Sequence, residues 1–448
     1  RQSIPGGYAG NFPPTVLKPS SINTLGELQT DVHGHLLVLG GPGHSGSSVF
    51  PPSIDTYANN DNWWDDTSDG PVEAEVILKG GSSVSVDNAW VLVGPPSYAP
   101  QIANLVTLYD TIFDTCVRNM GARPDIYKDG FWQYGKDSYT PYWESDIYPI
   151  LRRGQMYPWV AAIPPKAHQF DWDMLGVTSP DYRGYRQYFM DVLRGPGDEN
   201  TLINATSGAT MMPYLAGDDA IGATTTTQSK YLRLTDTQYY LLQKWVEGDF
   251  HPAGTSHESC HPGESMTRGV LENCVGGAFS PGIEMTWVSR LAAIYYEPFR
   301  IRARPLDDLP DPLSLDYNPG RGMEPGDVTR YMAVPWQADF NECSSQPIGD
   351  RILWWWPAQR PEFIYLDPTI KHGLAREAMP DSSMKQAPWI GTDYDQKANN
   401  YISFDDDVKM VEHWQELGFV MGKEIDGETR YVQVARTFKA PQYPIDES

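Results

Sequence analysis

The 448-residue chain is poor in cysteine and in positive charge, and each shortage argues against a class of protein. Four cysteines are too few for a disulfide scaffold in a chain of this length, and they leave the redox compartment open. Lysine and arginine number 34 against 58 acidic residues, which gives a net charge of −24. Nucleic acid and anionic membrane surfaces attract clustered positive charge, so neither is an expected partner.

The sequence also lacks long apolar runs, fixed repeats and low-complexity tracts. No stretch approaches the ~20 apolar residues that a membrane-spanning helix needs. Apolar residues are nevertheless plentiful, at 40% of the chain with 15 Trp, 26 Tyr and 14 Phe, which excludes a disordered chain and supplies one large domain or two. The chain begins with arginine rather than methionine, so we expect a processed product or a fragment.

Patterns along the chain predict an α+β protein with unusually long irregular segments. Residues 72–96 alternate apolar and polar side chains around Gly80-Gly81, which predicts a hairpin followed by another strand. Thr235 and Gln238 have the spacing of a capping box. Helical spacing predicts helices at 99–121, 234–250, 264–275, 284–297 and 406–418. Most of 1–70 and all of 300–350 are interpreted as loop, and 122–170 shows no clear period.

An acidic segment, residues 58–72, contains Asp61, Asp65, Asp66 and Asp69. Carboxylates could bind calcium, but their spacing does not fit the EF-hand loop. A solvated turn is therefore the preferred interpretation.

A second segment, residues 251–264, contains His251, His257, Cys260 and His261. Nitrogen and sulfur ligands could hold zinc, but the spacing matches no standard zinc site, so no metal is predicted. Lining of a nearby pocket is the alternative for His257 and His261.

Three adjacent tryptophans lie in "WWWPAQRP", residues 354–361. They could form a platform for sugar rings, and an acidic, aromatic-rich composition would suit a carbohydrate-active or carbohydrate-binding protein. Successive side chains of a strand point to opposite faces, however, so the three cannot all face one way. Most of this group is predicted to be core.

One cysteine and one tryptophan lie in more specific surroundings. Cys274 lies in "LENCVGGAFSPGIEMTW", residues 271–287, and Trp336 lies in "YMAVPWQADFNEC", residues 331–343. From the residues alone, a buried thiol and a core aromatic are the preferred interpretations.

These segments, followed by "WWWPAQRP", resemble in their order the L-lysine ε-oxidase and glycine oxidase family. Its members are amino-acid oxidases with a cysteine tryptophylquinone cofactor. The segments "YANNDNWWDDTSDGPV", "MMPYLAGDDA" and "LRLTDTQYYLLQKWVEGDF" are similar as well, and the resemblance runs from about Gly26 to about Phe419. Family members have a further strand-rich N-terminal stretch, so the resemblance implies a chain that is incomplete or cleaved at its N-terminus.

The resemblance implies that Cys274 and Trp336 form the cofactor, with a thioether between the sulfur and an indole ring that carries two carbonyls. No unmodified side chain offers an electrophilic carbonyl, and an ortho-quinone supplies one together with a sink for two electrons. Gly276-Gly277 would let the backbone approach the ring. Trp354, Trp355 and Trp356 are the rival tryptophans, and Cys260 and Cys343 are the rival cysteines.

The implied reaction is oxidative deamination of a primary amine by O2, which yields hydrogen peroxide and ammonia. Lysine at its ε-amine, glycine and other amino acids remain open as substrates. Asp339 and Glu272 are the candidate bases. A structural hydrogen bond is the alternative for Asp339, and a solvated, capping or cofactor-forming role is the alternative for Glu272. His257 and His261 are candidates for the substrate pocket.

The resemblance further implies a flavoprotein partner that installs the quinone oxygens. We expect a homo-oligomer that matures in the cytoplasm, with secretion left open. Residues 1–100 would form a loop- and strand-rich part, and residues 101–448 a helix-rich catalytic part. Besides the carbohydrate interpretation, a structural subunit of the same fold without the cofactor stays an alternative.

Overall fold

The fold is mixed α+β, as the sequence predicts. The computed structural model describes residues 2–5, 13–56, 59–161, 170–218, 231–256, 262–277, 285–309, 313–314, 318–342, 345–348, 351–366, 385–389, 393–395, 400–402, 407–425 and 427–434. Within these residues no helix is long and apolar enough to cross a membrane.

Along the sequence, most of the α-helices come after the N-terminal strands and before the strands of the C-terminal sheet. They are α1 (Leu108–Asn119), α2 (Tyr148–Met156), α3 (Trp172–Leu175), α4 (Arg183–Val192), α5 (Asp236–Val246), α6 (Pro262–Glu272), α7 (Thr286–Ser289), α8 (Trp336–Glu342) and α9 (Asp407–His413). Short 3-10 turns follow several of them, including Trp414–Glu416 directly after α9.

The starts of α1 and α5 are fixed by local chemistry. At α5, the Thr235 hydroxyl accepts from the Gln238 amide at 3.1 Å, and the Gln238 side chain accepts from the Thr235 amide at 3.0 Å. Thr107 and Asp110 form the same reciprocal pair at α1. The capping box predicted at Thr235 is thus confirmed, because two amides that a helix start leaves without partners are satisfied locally.

Two predictions about helices need correction. Only Thr286–Ser289 is α-helical within the predicted 284–297 helix, and Tyr295–Glu297 is a strand. Isoleucine and tyrosine at 294–296 suit a strand as well as a helix, and pairing with Arg300–Ile301 decides the outcome. The loop predicted at 300–350 contains α8, whose apolar residues are too few to show a period.

Residues 1–70, interpreted mostly as loop, contain two small antiparallel sheets. The strand orders are β1–β3–β4 and β2–β5–β6. The strands are β1 (Gln2–Pro5), β2 (Lys18–Pro19), β3 (Thr24–Thr30), β4 (Leu36–Gly40), β5 (Ser45–Ser47) and β6 (Trp63–Asp65). Most are too short for alternation to be detected in the sequence.

The predicted hairpin at 72–96 is confirmed as β7 (Ser68–Ile77) and β8 (Ser83–Val93). Gly81 has φ +82°, a left-handed conformation that suits glycine in the turn. The further strand predicted after the hairpin is wrong: β8 itself extends to Val93, and residues 94–96 form no strand.

The remaining strands form a four-stranded sheet and several two-stranded pairs. The four-stranded order is β16–β15–β20–β19, with β15 and β20 parallel and the other neighbours antiparallel. These strands are β9 (Tyr127–Lys128), β10 (Phe131–Trp132), β11 (Tyr295–Glu297), β12 (Arg300–Ile301), β13 (Ser345–Ile348), β14 (Arg351–Trp354), β15 (Phe363–Leu366), β16 (Lys385–Pro388), β17 (Asp393–Asp395), β18 (Asn400–Ile402), β19 (Phe419–Ile425) and β20 (Glu428–Val434).

Buried apolar side chains form two separate clusters. The large cluster includes Tyr98, Trp245, Trp336, Phe340, Trp355, Trp356 and Trp389, together with the apolar faces of α2, α4 and α5. The small cluster consists of Leu108, Ile112, Cys116, Met285, Val288, Ile294, Tyr295, Met323, Val328 and Met332. Trp355 and Trp356 are buried, which confirms the prediction that most of the tryptophan group is core.

Arg194 is a fully buried cation that holds together the segment between α4 and α5. Its guanidinium donates to the carbonyls of Thr201, Met211, Pro213 and Leu232 at 2.5–3.0 Å. Burial lowers the pKa of this guanidinium to about 10. One side chain therefore satisfies four backbone acceptors that would otherwise lack partners.

Replacing Arg194 should strongly destabilise the fold. Arg194→Met leaves the four buried carbonyls without their donor, and we expect a loss of about 3 kcal/mol in the free energy of unfolding. Arg183→Met is the control, because Arg183 forms an exposed ion pair with Glu247 and its loss should leave the urea midpoint nearly unchanged. Equal urea midpoints for the two variants would contradict this role for Arg194.

Candidate active site

Trp336 lies at the start of α8, inside the large cluster, and is 1% exposed. Its ring meets Phe340 and Trp414 edge-on, with centroids 5.3 and 5.1 Å apart. Phe340 also meets Trp356 at 5.7 Å. We call Trp336, Phe340, Trp356 and Trp414 the aromatic cluster.

Residues 336–341 of α8 are buried, and the Gln337 side chain bonds to neighbouring backbone and side chains. The Gln337 amide donates to the Gly43 carbonyl at 3.0 Å and accepts from the Ser45 hydroxyl at 2.7 Å. Asp339 is fully buried, three residues after Trp336 and so on a neighbouring part of the helix surface. The structure therefore places this predicted base close to the tryptophan along one helix.

The other end of α8 is held by a buried arginine from "WWWPAQRP". Arg360 donates to the carbonyls of Phe340 at 2.5 Å and Asn341 at 3.3 Å, and it lies over the Trp389 ring at 4.9 Å. A cation at the last carbonyls stabilises a helix end. Arg360 thus joins the tryptophan-rich segment to the helix that begins at Trp336.

Asp65 is a neighbour of Trp336 that the sequence interpretation missed. Its carboxylate accepts from the Trp336 amide at 3.3 Å and from the Thr67 hydroxyl at 2.5 Å. Burial raises the pKa of this carboxyl to about 7. Asp65 thus places a group that titrates near neutral pH beside the start of α8.

The interpretation of residues 58–72 as a solvated turn holds for Asp61, which is exposed, but it is wrong for Asp65, Asp66 and Asp69. Asp66 accepts from the amides of Gly43 and His44 at 3.0 Å each, and Asp69 accepts from the Thr329 amide at 2.8 Å. Burial raises the pKa of both carboxyls. The carboxylates turn inward because loop amides there need acceptors. Among the described residues, no group of His, Cys, Asp and Glu could hold a metal ion.

Cys274 lies just beyond the C-terminal end of α6, and its side chain packs against the small cluster. Its thiol donates to the Val270 carbonyl at 3.4 Å, and burial raises its pKa to about 11. The thiol is therefore protonated at neutral pH, whereas the thiolate is the reactive form. The two clusters adjoin at this point, because Val275, the residue that follows Cys274, belongs to the large cluster that contains Trp336.

Gly276 packs against backbone, and Gly277 lies against the side chains of Leu232 and Val106. Gly276 donates to the Val106 carbonyl at 3.0 Å, and a Cβ at this position would lie 2.0 Å from the Thr107 carbonyl oxygen. A close approach of backbone is therefore present at Gly276, and its partner is the segment that precedes α1.

Glu272, the last residue of α6, forms an ion pair within its own helix. Its carboxylate pairs with Arg268 one turn earlier at 2.7 Å, and Arg268 lies over the Tyr109 ring at 4.7 Å. His257 and His261 lie outside the described residues.

Two family models match opposite parts of the chain. "L-Lysine epsilon oxidase N-terminal" matches residues 6–93, and "L-lysine epsilon oxidase C-terminal domain" matches residues 214–361. L-lysine 6-oxidase from Marinomonas mediterranea is 34% identical over 379 residues, which cover 76% of this chain and 50% of that protein. The chain therefore spans about half the length of the curated relative it matches.

Solved structures show the same fold. The ε-lysine oxidase from Marinomonas mediterranea aligns with a TM-score of 0.76 at 26% identity, over 94% of this chain and 70% of that chain. The structure of the Schiff base intermediate of L-Lys ε-oxidase from this organism with L-Lys aligns with a TM-score of 0.75 at 26% identity. The alignment covers 97% of this chain and 70% of that chain. The architecture is thus that of the solved ε-lysine oxidases. Together with the two family models, this shows that the chain belongs to the L-lysine ε-oxidase family, as its segments suggested.

Asp65 should make stability depend on pH. Its pKa of about 7 in the folded state lies above the ordinary 3.8, so the folded state holds the proton more tightly. Its contribution to stability is therefore complete below about pH 4 and is lost as pH rises to about 7, by at most about 1.4 kcal/mol per unit. Asp65→Asn should flatten this slope in urea unfolding measured from pH 5 to pH 7.

The exposed Asp61 supplies the matched control. Asp61→Asn should keep the slope of the unmodified protein. A slope that is equal in all three proteins would contradict the assignment of a neutral-range titration to Asp65.

Proposed function

We propose that this protein is an amino-acid oxidase that deaminates a primary amine with O2 and releases hydrogen peroxide and ammonia. The observation that carries the proposal is the match of the two lysine ε-oxidase family models to separate parts of the chain. The name of the relative, L-lysine 6-oxidase, makes the ε-amine of lysine the first substrate to test, followed by glycine and other amino acids.

The proposal includes a quinone cofactor, a cysteine tryptophylquinone, made from the chain's own side chains. When formed, such a group supplies an electrophilic carbonyl and accepts two electrons. The aromatic cluster fits a tryptophan-derived group, because Trp336 is buried beside Trp414 and the carboxyl of Asp65 is held at its backbone. Low dielectric in such a site strengthens the action of nearby carboxyls on developing charge.

Within this proposal the chain's residues hold and move protons. Asp65 anchors the start of α8 through the Trp336 amide, which fixes where the indole lies. Asp339, fully buried on α8, is the candidate to take a proton from the substrate carbon. Glu272 is less suited to that task, because its carboxylate is paired with Arg268 on α6.

The sulfur donor of the cofactor has two candidates. Cys274 is the donor that the resemblance implies, paired with Trp336. Cys343, which directly follows the last residue of α8 in the sequence, is the second. Trp414 becomes a second candidate tryptophan, because its ring contacts that of Trp336.

We further propose that a flavoprotein partner installs the two quinone oxygens and that the mature protein is a homo-oligomer. Expression of this chain without the flavoprotein should then yield the unmodified chain, since a tryptophan does not oxidise itself selectively. The carbohydrate-binding alternative loses its main support, because Trp355 and Trp356 are buried.

Peptide mapping tests the cofactor. We expect one cross-linked pair of peptides that contains Trp336 or Trp414, with two oxygens more and four hydrogens fewer than the sum of the unmodified peptides. If Cys274 is the sulfur donor, Cys274→Ser abolishes the quinone absorbance. Cys116→Ser is the matched control, since Cys116 is buried in the same small cluster and should keep the absorbance. Recovery of both tryptophans unmodified from an active sample would contradict the proposal.

Peroxide release tests the reaction. The mature protein should consume O2 and release hydrogen peroxide and ammonia with one or a few primary amino acids, without added flavin or nicotinamide. An N,N-dimethylated substrate should be inert, because the reaction requires a free primary amine, and phenylhydrazine should stop the reaction by capturing the carbonyl. A sample of mature mass that gives no peroxide with any common amino acid would favour the structural-subunit alternative.

A further inference from the structure

An apolar cavity of about 580 Å³ lies between α2, α4 and α5 and is lined by members of the large cluster. Leu105, Ile150, Phe189, Met212, Leu234 and Leu242 are among the side chains that line it. No charged side chain is among the described residues of the lining. Tyr188 also lines the cavity and is 57% exposed, so the cavity reaches the surface there.

A second, much smaller void adjoins the cavity, and we call it the neck. It has a volume of about 10 Å³, shares Leu105 and Tyr157 with the lining of the cavity, and is lined further by Val275, Trp355 and Trp356. This volume is close to the smallest that admits one water molecule. The neck therefore has room for a molecule of two or three atoms but not for an amino acid.

The neck borders the aromatic cluster. Trp356 lines the neck and meets Phe340 at 5.7 Å, and Phe340 meets Trp336 at 5.3 Å. The cavity and the neck thus lie between the protein surface at Tyr188 and the aromatic cluster at Trp356.

We propose that this cavity and its neck deliver dioxygen to the aromatic cluster, an inference that rests on the proposed oxidase function. Dioxygen is neutral, apolar and diatomic, so it favours an apolar cavity over water and fits the neck. A zwitterionic amino acid is excluded both by the absence of charged partners in the described lining and by the size of the neck. At the site, dioxygen takes up the two electrons removed from the amine, together with two protons, and leaves as hydrogen peroxide.

Gly154 offers a way to fill the cavity without disturbing the fold. It lies on α2 and lines the cavity, and a Cβ built there meets no atom within 4 Å. Gly184 on α4 is equally open to a Cβ but does not belong to the cavity lining. Gly154→Trp and Gly184→Trp therefore form a matched pair, and Leu105→Trp is a second variant that blocks the neck.

Xenon tests the cavity independently of activity. Crystals of the unmodified protein and of Gly184→Trp under xenon pressure should show xenon beside Gly154, and Gly154→Trp should lose that density. Absence of xenon from the unmodified protein would overturn the inference, because a cavity that rejects xenon offers no route for dioxygen.

Rapid kinetics test whether the cavity delivers dioxygen to the aromatic cluster. For the mature enzyme reduced by its amine, the second-order rate constant with O2 should fall at least fivefold in Gly154→Trp and in Leu105→Trp, with anaerobic reduction by the amine unchanged. Gly184→Trp should change neither rate. An unchanged O2 rate constant in both cavity variants of an active enzyme would overturn this inference alone. Failure of the unmodified, mature protein to consume O2 would instead overturn the proposed function and this inference with it.

Discussion

Two buried carboxylates connect the N-terminal strands to the segment that carries Trp336. Asp69 accepts from the amides of Val328 and Thr329, and Asp65 accepts from the amide of Trp336 itself. These bonds join residues more than 250 positions apart in the chain. Because α8 is short and its residues 336–341 are buried, its position depends on such contacts rather than on its own helix propensity.

The position of α8 in turn determines the surroundings of the proposed active site. Arg360 holds the C-terminal carbonyls of α8, and the Asn341 amide bonds to Asp407 at the start of α9 at 2.5 Å. With its start held by Asp65 and its end by Arg360 and Asp407, α8 presents Trp336 to Trp414. A group that must be held in register with a substrate benefits from a helix fixed at both ends.

The surroundings of Cys274 and Trp336 bear on how a cofactor forms. Cys274 packs against the small cluster beside α1, its side chain is partly buried, and the pKa of its thiol is raised to about 11. The next residue, Val275, belongs to the large cluster that contains Trp336. The neck beside the apolar cavity is lined by both Val275 and Trp356, so it borders the residue next to Cys274 and the aromatic cluster.

The sequence by itself determined the features that depend on near neighbours: the capping box of α5, the hairpin of β7 and β8, the mixed α+β class and the family to which the chain belongs. Each rests on residues a few positions apart or on long ordered segments. Tertiary structure decided the rest. The inward position of Asp65 and Asp69 depends on loop amides distant in sequence, and the helical state of α8 depends on enclosure by other elements. Which cluster the side chains of Cys274 and Trp336 pack against is specified by no local pattern, because that choice is set by packing across the whole chain.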